Sequence, residues 1–406
     1  MRRLLHLLSQ RPSLTGSGVT LDALVRHAAT DGWDQHVVVG VPSSDPLPEV
    51  GGLPRSRVHP LRFGGADLPF PVPGMSDVMP YPSTRFSAMS PEQLARYRAA
   101  WSEHLRRVIG ETRPGVIHAH HVWVLSSLLK EVAPEVPVVV QCHATGLRQI
   151  ELCPHLAAEV VRGNAHNERF LVLHRGHAAA LAGALGVDEG RIRLVGAGYR
   201  EDLFHLQGAE PGRSDLVYVG KYAAAKGLPW LLDAVERVGE RVPGLRLHVA
   251  GSGAGGEADG LRRRMESMAP RVVLHGQLAQ PRLADLLRRS AVCVLPSFYE
   301  GVPLVLVEAL ACGCRLVATR LPGVMDQLAP HLGDTLELVP LPRLTGSDHP
   351  REEDLPAFVE ELAAAIEASL RRPRIEPGPE LDRALAPFTW RAVFERVQKV
   401  WLELVI

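Results

Sequence analysis

The sequence predicts an α/β protein of two domains, each built on a doubly wound parallel sheet. Short apolar strands alternate with amphipathic helices over nearly all of the 406 residues, a pattern typical of parallel sheets covered by helices on both faces. The alternation breaks once and then restarts in the second half, and a chain of this length is ample for two domains. We place the boundary in the glycine-containing segment 196–204, where a hinge is sterically allowed.

The first half contains the break in the alternation. Residues 42–91 are rich in proline and glycine and show no periodicity, which predicts a long insertion. Around it the apolar runs predict strands at 4–8, 36–41, 116–119, 136–141, 170–173 and 192–195, with helices at 19–31, 91–111, 122–132 and 176–185.

The second half repeats the alternation with different residues. It predicts strands at 216–219, 245–250, 272–275, 292–295, 315–318 and 335–339, and helices at 228–241, 261–268, 281–289, 303–311 and 355–370. A proline-rich connector at 373–387 precedes a last amphipathic helix at 390–404. We therefore expect domains at 1–197 and 198–387, followed by a C-terminal segment, 388–406, whose helix packs back on the first domain.

Composition narrows the functional classes. Lys+Arg and Asp+Glu both number 45, so the chain lacks the basic excess typical of a nucleic-acid partner. The apolar runs are far shorter than the ~20 residues needed to span a bilayer. Five cysteines, sparse and odd in number, favour a reducing cytoplasm over a disulfide framework. Composition leaves the oligomeric state open.

The segment 295–313, LPSFYEGVPLVLVEALACG, carries the strongest chemical signal. Glu300 stands just before a predicted helix, where the helix dipole alone favours an acidic residue. Glu308 lies within VLVEALA, on a helix that is apolar nearly all round, where an unpaired carboxylate is costly. That carboxylate needs a partner, and a hydroxyl group of a ligand is a good candidate.

The same segment resembles the signature of family 4 retaining glycosyltransferases, S-x-x-E-G-x-P-x-x-x-x-E-A-x-x-x-G, with its two glutamates eight positions apart. The resemblance implies the GT-B fold, in which two Rossmann-like domains face each other across a cleft. It also implies that Glu300 contacts the hydroxyls of the donor sugar, that Glu308 holds the ribose of the nucleotide, and that Gly301, Val302 and Pro303 line the donor pocket.

A second motif, VGKYAAAKG at 219–227, places two of the chain's four lysines in one strand-to-helix loop. Amides at a helix start, together with two cations, suit a diphosphate. The resembled family usually has arginine and then lysine here, so Lys221 departs from the pattern while Lys226 matches it. By resemblance both lysines stabilise the leaving diphosphate.

Two further turns fall where the resembled family lines its donor pocket. In VAGSGAGG at 249–256, Gly251 and Gly253 are expected to let the backbone approach the nucleotide. In HGQL at 275–278, Gln277 and Leu278 are expected to contact the base through backbone groups. Taken without the resemblance, either stretch is equally compatible with an ordinary tight turn.

The first half contributes a glycine loop and a histidine. Gly16 and Gly18, in the loop after the first strand, resemble the family's glycine-rich loop and are expected to approach phosphate or acceptor. His143 follows the strand 136–141, and in the family a histidine at this place reaches the donor sugar. The HAHH cluster at 118–121 suggests a metal site, but the family commonly has H-x-H there without metal, so we expect none. A wall of the acceptor site and a purely structural role both stay open for this cluster.

The resemblance implies a hexosyl transfer that retains the anomeric configuration and needs neither metal nor cofactor. Its donor is a nucleoside-diphosphate sugar; UDP is the commonest nucleotide in such enzymes, and GDP and ADP stay open. The N-terminal domain has no basic cluster, which favours a soluble small-molecule acceptor over a membrane-bound one. The alternatives are a nucleotide-sugar 2-epimerase of the same fold and a non-catalytic nucleotide-sugar-binding protein.

Overall fold

The protein is described here by a computed structural model that covers residues 2–12, 15–76, 79, 81–143, 145–206, 214–346 and 348–405. The chain forms two compact units. Unit 1 comprises Met1–Ala197 and Trp390–Ile406, and unit 2 comprises Gly198–Thr389. Each unit holds a parallel sheet with helices on both faces, so the predicted α/β class with two doubly wound sheets is confirmed.

The sheet of unit 1 has seven strands in the order β3-β2-β1-β6-β7-β8-β9, all parallel. Two very short strands, β4 and β5, pair with each other outside it. The bounds are β1 Arg3–Leu8, β2 Asp34–Pro42, β3 Val58–Phe63, β4 Pro73–Gly74, β5 Thr84–Arg85, β6 Val116–His120, β7 Val138–Gln141, β8 Arg169–Val172 and β9 Ile192–Leu194.

Helices cover both faces of this sheet. Leu5 and Leu7 belong to the core on one face, while Leu4 belongs to the core on the other face together with residues of the first helix. Alternate residues of one strand thus point to opposite sides, as the pleat requires. The helices of the first segment are α1 Gly16–Thr30, α2 Pro91–Thr112, α3 Val124–Ser127, α4 Leu129–Val132, α5 Thr145–Leu152, α6 Pro154–Asn164 and α7 Arg175–Leu185.

Unit 2 repeats the arrangement with a six-stranded parallel sheet in the order β12-β11-β10-β13-β14-β15. Numbered within the unit this is 3-2-1-4-5-6, the doubly wound order of dinucleotide-binding domains. Its strands are β10 Leu216–Val219, β11 Leu247–Ala250, β12 Val272–Gly276, β13 Val292–Leu295, β14 Arg315–Thr319 and β15 Leu336–Val339, and a small antiparallel pair follows, β16 Leu344–Thr345 and β17 His349–Pro350.

The helices of unit 2 divide between the two faces of its sheet. Residues of α8, α9 and α13 share one core, while those of α10, α11, α12 and α14 share the other. The bounds are α8 Leu228–Arg241, α9 Gly256–Ser267, α10 Gln280–Arg288, α11 Leu304–Ala311, α12 Ala329–Leu332, α13 Leu355–Arg371 and α14 Pro379–Leu385; a last helix, α15 Trp390–Leu404, belongs to unit 1.

The structure corrects the prediction of an insertion without periodicity at 42–91, because Val58–Phe63 within it is the edge strand β3. An edge strand has a neighbour on one side only, so it needs no continuous apolar run and tolerates proline. His59, Pro60, Leu61 and Arg62 are accordingly only partly buried. The sequence analysis also missed α5 and α6, whose buried faces are narrow.

The predicted connector at 373–387 likewise contains a helix, α14. Leu381, Ala384 and Leu385 of this helix pack into the same apolar core as α11 and α12. Proline at its first position suits a helix start, so the prolines mark a boundary rather than a disordered link. The chain passes from unit 1 to unit 2 after Ala197 and returns after Thr389.

Candidate functional site

Two loops meet at the carboxyl edge of the unit 2 sheet, where strand order reverses between β10 and β13. This switch point is where open α/β sheets bind ligands. The backbone N–H of Phe298, in the loop after β13, donates to the carbonyl of Ala225, in the loop after β10, at 3.0 Å. Gly227 has φ +69°, and a Cβ there would lie 2.0 Å from the Pro296 carbonyl oxygen. Only glycine permits this contact between the two loops.

An ion pair joins the same two loops. Lys226 Nζ lies 2.8 Å from Glu300 Oε1 and also donates to the carbonyl oxygen of Tyr299 at 3.1 Å. The buried Ser297 hydroxyl donates to the same carboxylate oxygen at 2.9 Å. The structure therefore brings together two residues 74 positions apart in sequence that the sequence analysis assigned to the diphosphate and to the donor sugar.

The hydrogen-bond capacity of this pair is only partly used. A lysine ammonium has three N–H donors, and two of those of Lys226 go to Glu300 and Tyr299. Both bonds to Glu300 use Oε1, and within the described residues no group hydrogen-bonds its Oε2. One cationic donor and one anionic acceptor therefore remain for a ligand, a few ångströms apart.

Lys221 occupies a different environment from Lys226. Its side chain is exposed and forms no ion pair with any residue the structure describes, whereas its carbonyl accepts a hydrogen bond from the Tyr218 hydroxyl at 2.7 Å. Farther along the loop, the Glu257 carboxylate accepts the backbone N–H of Ala224 at 2.7 Å. The loop is thus held at both ends while the first lysine projects into solvent.

Glu308 lies in the second turn of α11, on a helix whose other residues are largely buried. In the described part of the chain no group hydrogen-bonds its carboxylate, and burial raises its pKa to about 7. Pro303 is buried and immediately precedes the helix, Val302 is partly buried, and the Gly301 carbonyl packs against Gly323. These three residues thus form the short turn that leads from Glu300 into the helix.

The glycines after β11 contact protein backbone. Gly251 has φ +149°, and a Cβ there would lie 1.8 Å from the carbonyl oxygen of Gly220, at the start of the lysine loop. A Cβ on Gly253 would lie 2.6 Å from Ala258. After β12, Gln277 is exposed and Leu278 packs on the apolar core. A role of these four residues toward nucleotide stays a prediction, but Gly251 does hold two neighbouring loops together.

The sequence-predicted residues of unit 1 also lie at the carboxyl ends of its strands. Gly16 begins α1, and Thr15 caps this helix by accepting the N–H of Gly18 at 3.2 Å. Of the two glycine N–H groups, only that of Gly16 therefore stays available to a ligand. His143 follows β7, and its Nε2 is 3.1 Å from Nδ1 of His120, the last residue of β6. Burial lowers the pKa of His143 to about 4, so its imidazole is neutral near pH 7.

The HAHH segment belongs to a cluster of buried histidines. Nitrogens of His6, His118 and His120 lie within 4.8 Å of one another. The His118 and His120 rings are stacked, with centroids 4.7 Å apart and planes 23° apart. The expectation that this cluster holds no metal stays a prediction.

Sequence reasoning did not single out the residues that shape the site from behind. Ser297 and Gly227 were recognised only as parts of motifs, although the Ser297 hydroxyl bonds Glu300 and Gly227 permits the contact with Pro296. Glu257 was not recognised at all. No local signal points to Glu257, because its partner is 33 residues away.

Two family models match the chain. The model described as "Glycosyl transferase 4-like domain" matches residues 15–198, and "Glycosyl transferases group 1" matches residues 213–340. The second match contains both lysines and both glutamates of the candidate site. The chain belongs to the group 1, or family 4, glycosyltransferases, as the resemblance implied.

Curated relatives resemble parts of the chain. It is 29% identical over 251 residues to a D-inositol 3-phosphate glycosyltransferase of Pseudarthrobacter chlorophenolicus, covering 55% of this chain and 58% of the relative. It is 29% identical over 231 residues to a glycogen synthase of Mycobacterium tuberculosis, covering 52% and 53%. The matches thus span little more than half the length of these relatives.

Solved structures show the same fold at low sequence identity. A sucrose-phosphate synthase from Thermosynechococcus elongatus matches over 100% of this chain and 99% of its own, with a TM-score of 0.68 and 17% identity. Anabaena HepE in complex with UDP and glucose matches over 99% and 100%, with a TM-score of 0.63 and 15% identity. These neighbours are GT-B glycosyltransferases, which confirms the predicted fold.

The raised pKa of Glu308 makes stability depend on pH. In the folded protein this carboxyl stays protonated up to about pH 7, whereas in the unfolded chain it ionises near pH 4.3. Between these values the folded state binds the extra proton, so the stability of the wild type falls as pH rises. Glu308→Gln removes the ionisation, and we expect the variant to gain on the order of 2 kcal/mol relative to the wild type between pH 5 and pH 8.

Urea unfolding of both proteins at the two pH values measures this difference. Glu361→Gln, an exposed glutamate on α13, serves as the control for the loss of a negative charge and should show no such pH dependence. If the difference in unfolding free energy between Glu308→Gln and the wild type were the same at pH 5 and at pH 8, the raised pKa of Glu308 would be contradicted.

Proposed function

We propose that the chain is a retaining, metal-independent hexosyltransferase that moves a sugar from a nucleoside-diphosphate sugar to a soluble small-molecule acceptor. The observation that carries the proposal is the Lys226–Glu300 pair at the switch point of unit 2, with one N–H and one carboxylate oxygen left for a ligand. A sugar diphosphate presents complementary groups, namely phosphate oxygens that accept and sugar hydroxyls that donate. Family membership supports the same donor class.

In the proposed reaction the bond between the anomeric carbon and the diphosphate oxygen breaks while the acceptor oxygen bonds the same face of that carbon. The acceptor proton passes to the departing diphosphate. Lys226 stabilises the negative charge that develops on this leaving group, and Lys221, exposed and unpaired among the described residues, folds onto it when the donor binds. Glu300 Oε2 accepts a sugar hydroxyl, and Glu308 accepts the ribose hydroxyls.

UDP is the nucleotide we propose. HepE, which shares the fold, was solved with UDP and with UDP-glucose, and GDP and ADP are the alternatives to test.

Two structural features concern the compartment in which the reaction takes place. No helix in the described ranges is long and apolar enough to cross a bilayer, and all five cysteines are buried thiols. The thiols support our proposal of a reducing compartment, the cytoplasm.

The function is tested by incubating the protein with UDP-, GDP- and ADP-sugars and a panel of polyol, sugar and sugar-phosphate acceptors. We expect nucleoside diphosphate to be released only when an acceptor is present, with product formed in the donor's anomeric configuration by proton NMR. EDTA should leave the rate unchanged. Acceptor-independent conversion of the sugar would indicate an epimerase, binding without turnover a binding protein, and inversion or loss of activity in EDTA a different mechanism.

Glu300 and Glu308 should affect different parts of the donor. Glu308→Ala removes the acceptor for the ribose hydroxyls, so at pH 8, where this carboxyl is ionised, we expect UDP to bind at least tenfold more weakly, as the loss of a charge-assisted hydrogen bond implies. Glu300→Ala should leave the Kd of UDP within about twofold while weakening the intact donor sugar. Isothermal titration calorimetry with UDP and with the UDP-sugar measures both. Equal losses of UDP affinity in the two variants would refute the division of roles.

Lys226 should matter more to turnover than to donor binding, since the charge it neutralises grows as the leaving group departs. We expect Lys226→Ala to lower kcat by at least ~100-fold and Lys226→Arg to restore part of it, because a planar fork replaces a compact charge. Lys221→Arg should be tolerated. Steady-state kinetics, with exposed Lys399→Ala on α15 as control, test this. A near-normal kcat in Lys226→Ala would move the diphosphate site elsewhere.

A further inference from the structure

Adjacent residues at the end of β6 both contact His143. The rings of His120 and His121 lie with their centroids 5.4 Å and 4.8 Å from that of His143. If the geometry of β6 continued through His121, the two side chains would point to opposite faces of the sheet and would not both face His143, which follows β7. Some departure from strand geometry must bring them together.

That departure is the backbone of His121, whose φ is +75°. A non-glycine residue seldom adopts this left-handed conformation, which is unfavourable and persists where the surroundings enforce it. Here the His121 N–H donates to the Gln141 carbonyl at 2.9 Å, and its own carbonyl accepts from the Ser126 hydroxyl at 3.0 Å. The turn is therefore built into the end of the strand.

The hydrogen bonds around His120 and His121 indicate which ring nitrogen of each carries the proton. The Thr145 hydroxyl donates to the His143 carbonyl at 2.8 Å, so it accepts from Nδ1 of His121 at 3.1 Å, and His121 carries its proton on Nδ1. His120 is fully buried and its Nε2 has no partner in the described chain. A buried lone pair without a partner is less unfavourable than a buried N–H without one. His120 thus also carries its proton on Nδ1 and donates it to Nε2 of His143.

We propose that His120 is a positioning residue that holds His143 in its Nδ1–H tautomer. With its Nε2 accepting from His120, His143 presents Nδ1–H as the donor available to substrate, and no described residue hydrogen-bonds that nitrogen. His120 Nδ1 and His143 Nε2 lie 3.1 Å apart, within the range of an N–H···N hydrogen bond. The catalytic consequence rests on the proposed function: the imidazole offers a fixed hydrogen-bond donor to substrate at the carboxyl end of β7.

Tautomer assignment by NMR tests the positioning without reference to activity. In intact protein labelled with ¹⁵N-histidine, the signals of His143 are identified by their loss in His143→Gln. We expect protonated Nδ1 and unprotonated Nε2 in the wild type and in His120→Asn, whose side-chain amide keeps a donor near the place of Nδ1. In His120→Phe, which keeps the ring but has no donor, the tautomers should mix. A wild-type His143 protonated on Nε2 would overturn the proposal.

Kinetics test the consequence for the reaction. His120→Phe should lower kcat at least tenfold, the loss expected for one misaligned hydrogen bond, with the Kd of UDP unchanged. His120→Asn should stay within about threefold of the wild type. Equal kcat values for the two variants would refute the positioning role. If the wild type transfers no sugar, the proposed function fails, while the NMR result still decides the tautomer. Should His120→Phe not fold, the wild-type and His120→Asn spectra remain decisive.

Discussion

The candidate site depends on one contact, the ion pair between Lys226 and Glu300. It closes the gap between two loops that leave the sheet in opposite directions, and it does so at the position where the doubly wound order reverses. The pair is partly buried rather than surface-exposed, with side-chain exposures of 24% and 20%, so solvent screens it only in part. The Ser297 hydroxyl and the Gly227–Pro296 backbone contact both serve to hold this pair in place.

Much of the fold could be predicted because its strands are buried on both faces. Such strands appear in sequence as short continuous apolar runs, and the predicted strands at 216–219 and 292–295 coincide with β10 and β13. Elements that bury less were missed. The edge strand β3 has one neighbour and carries a proline, and α14 lies in a proline-rich segment, so in both the local signal contradicted the tertiary environment.

Within the site, sequence reasoning could name residues but not their partners. The sequence alone shows that a glutamate lies on an otherwise apolar helix and that two of the chain's four lysines lie in one loop. Other features depend on loops that the sheet brings together, and the sequence does not contain them. They include the choice of Glu300 oxygen that accepts hydrogen bonds and the packing of Gly251 against Gly220. The histidines of unit 1 show the same limit. The H-x-H spacing places His118 and His120 on one face of a strand, but the proximity of His6 depends on the pairing of β1 with β6, which the spacing does not contain.

The return of the chain to unit 1 has a consequence for biosynthesis. Trp401 of α15 packs edge-on against Trp33 and against His6 of the first strand, and it is fully buried there. The N-terminal segment is made first, yet the face of its sheet that α1 covers in part is completed only when α15 has left the ribosome. Unit 2, continuous in sequence, has no such wait. Unit 1, whose synthesis begins first, therefore cannot complete its core until the whole of unit 2 has been synthesised.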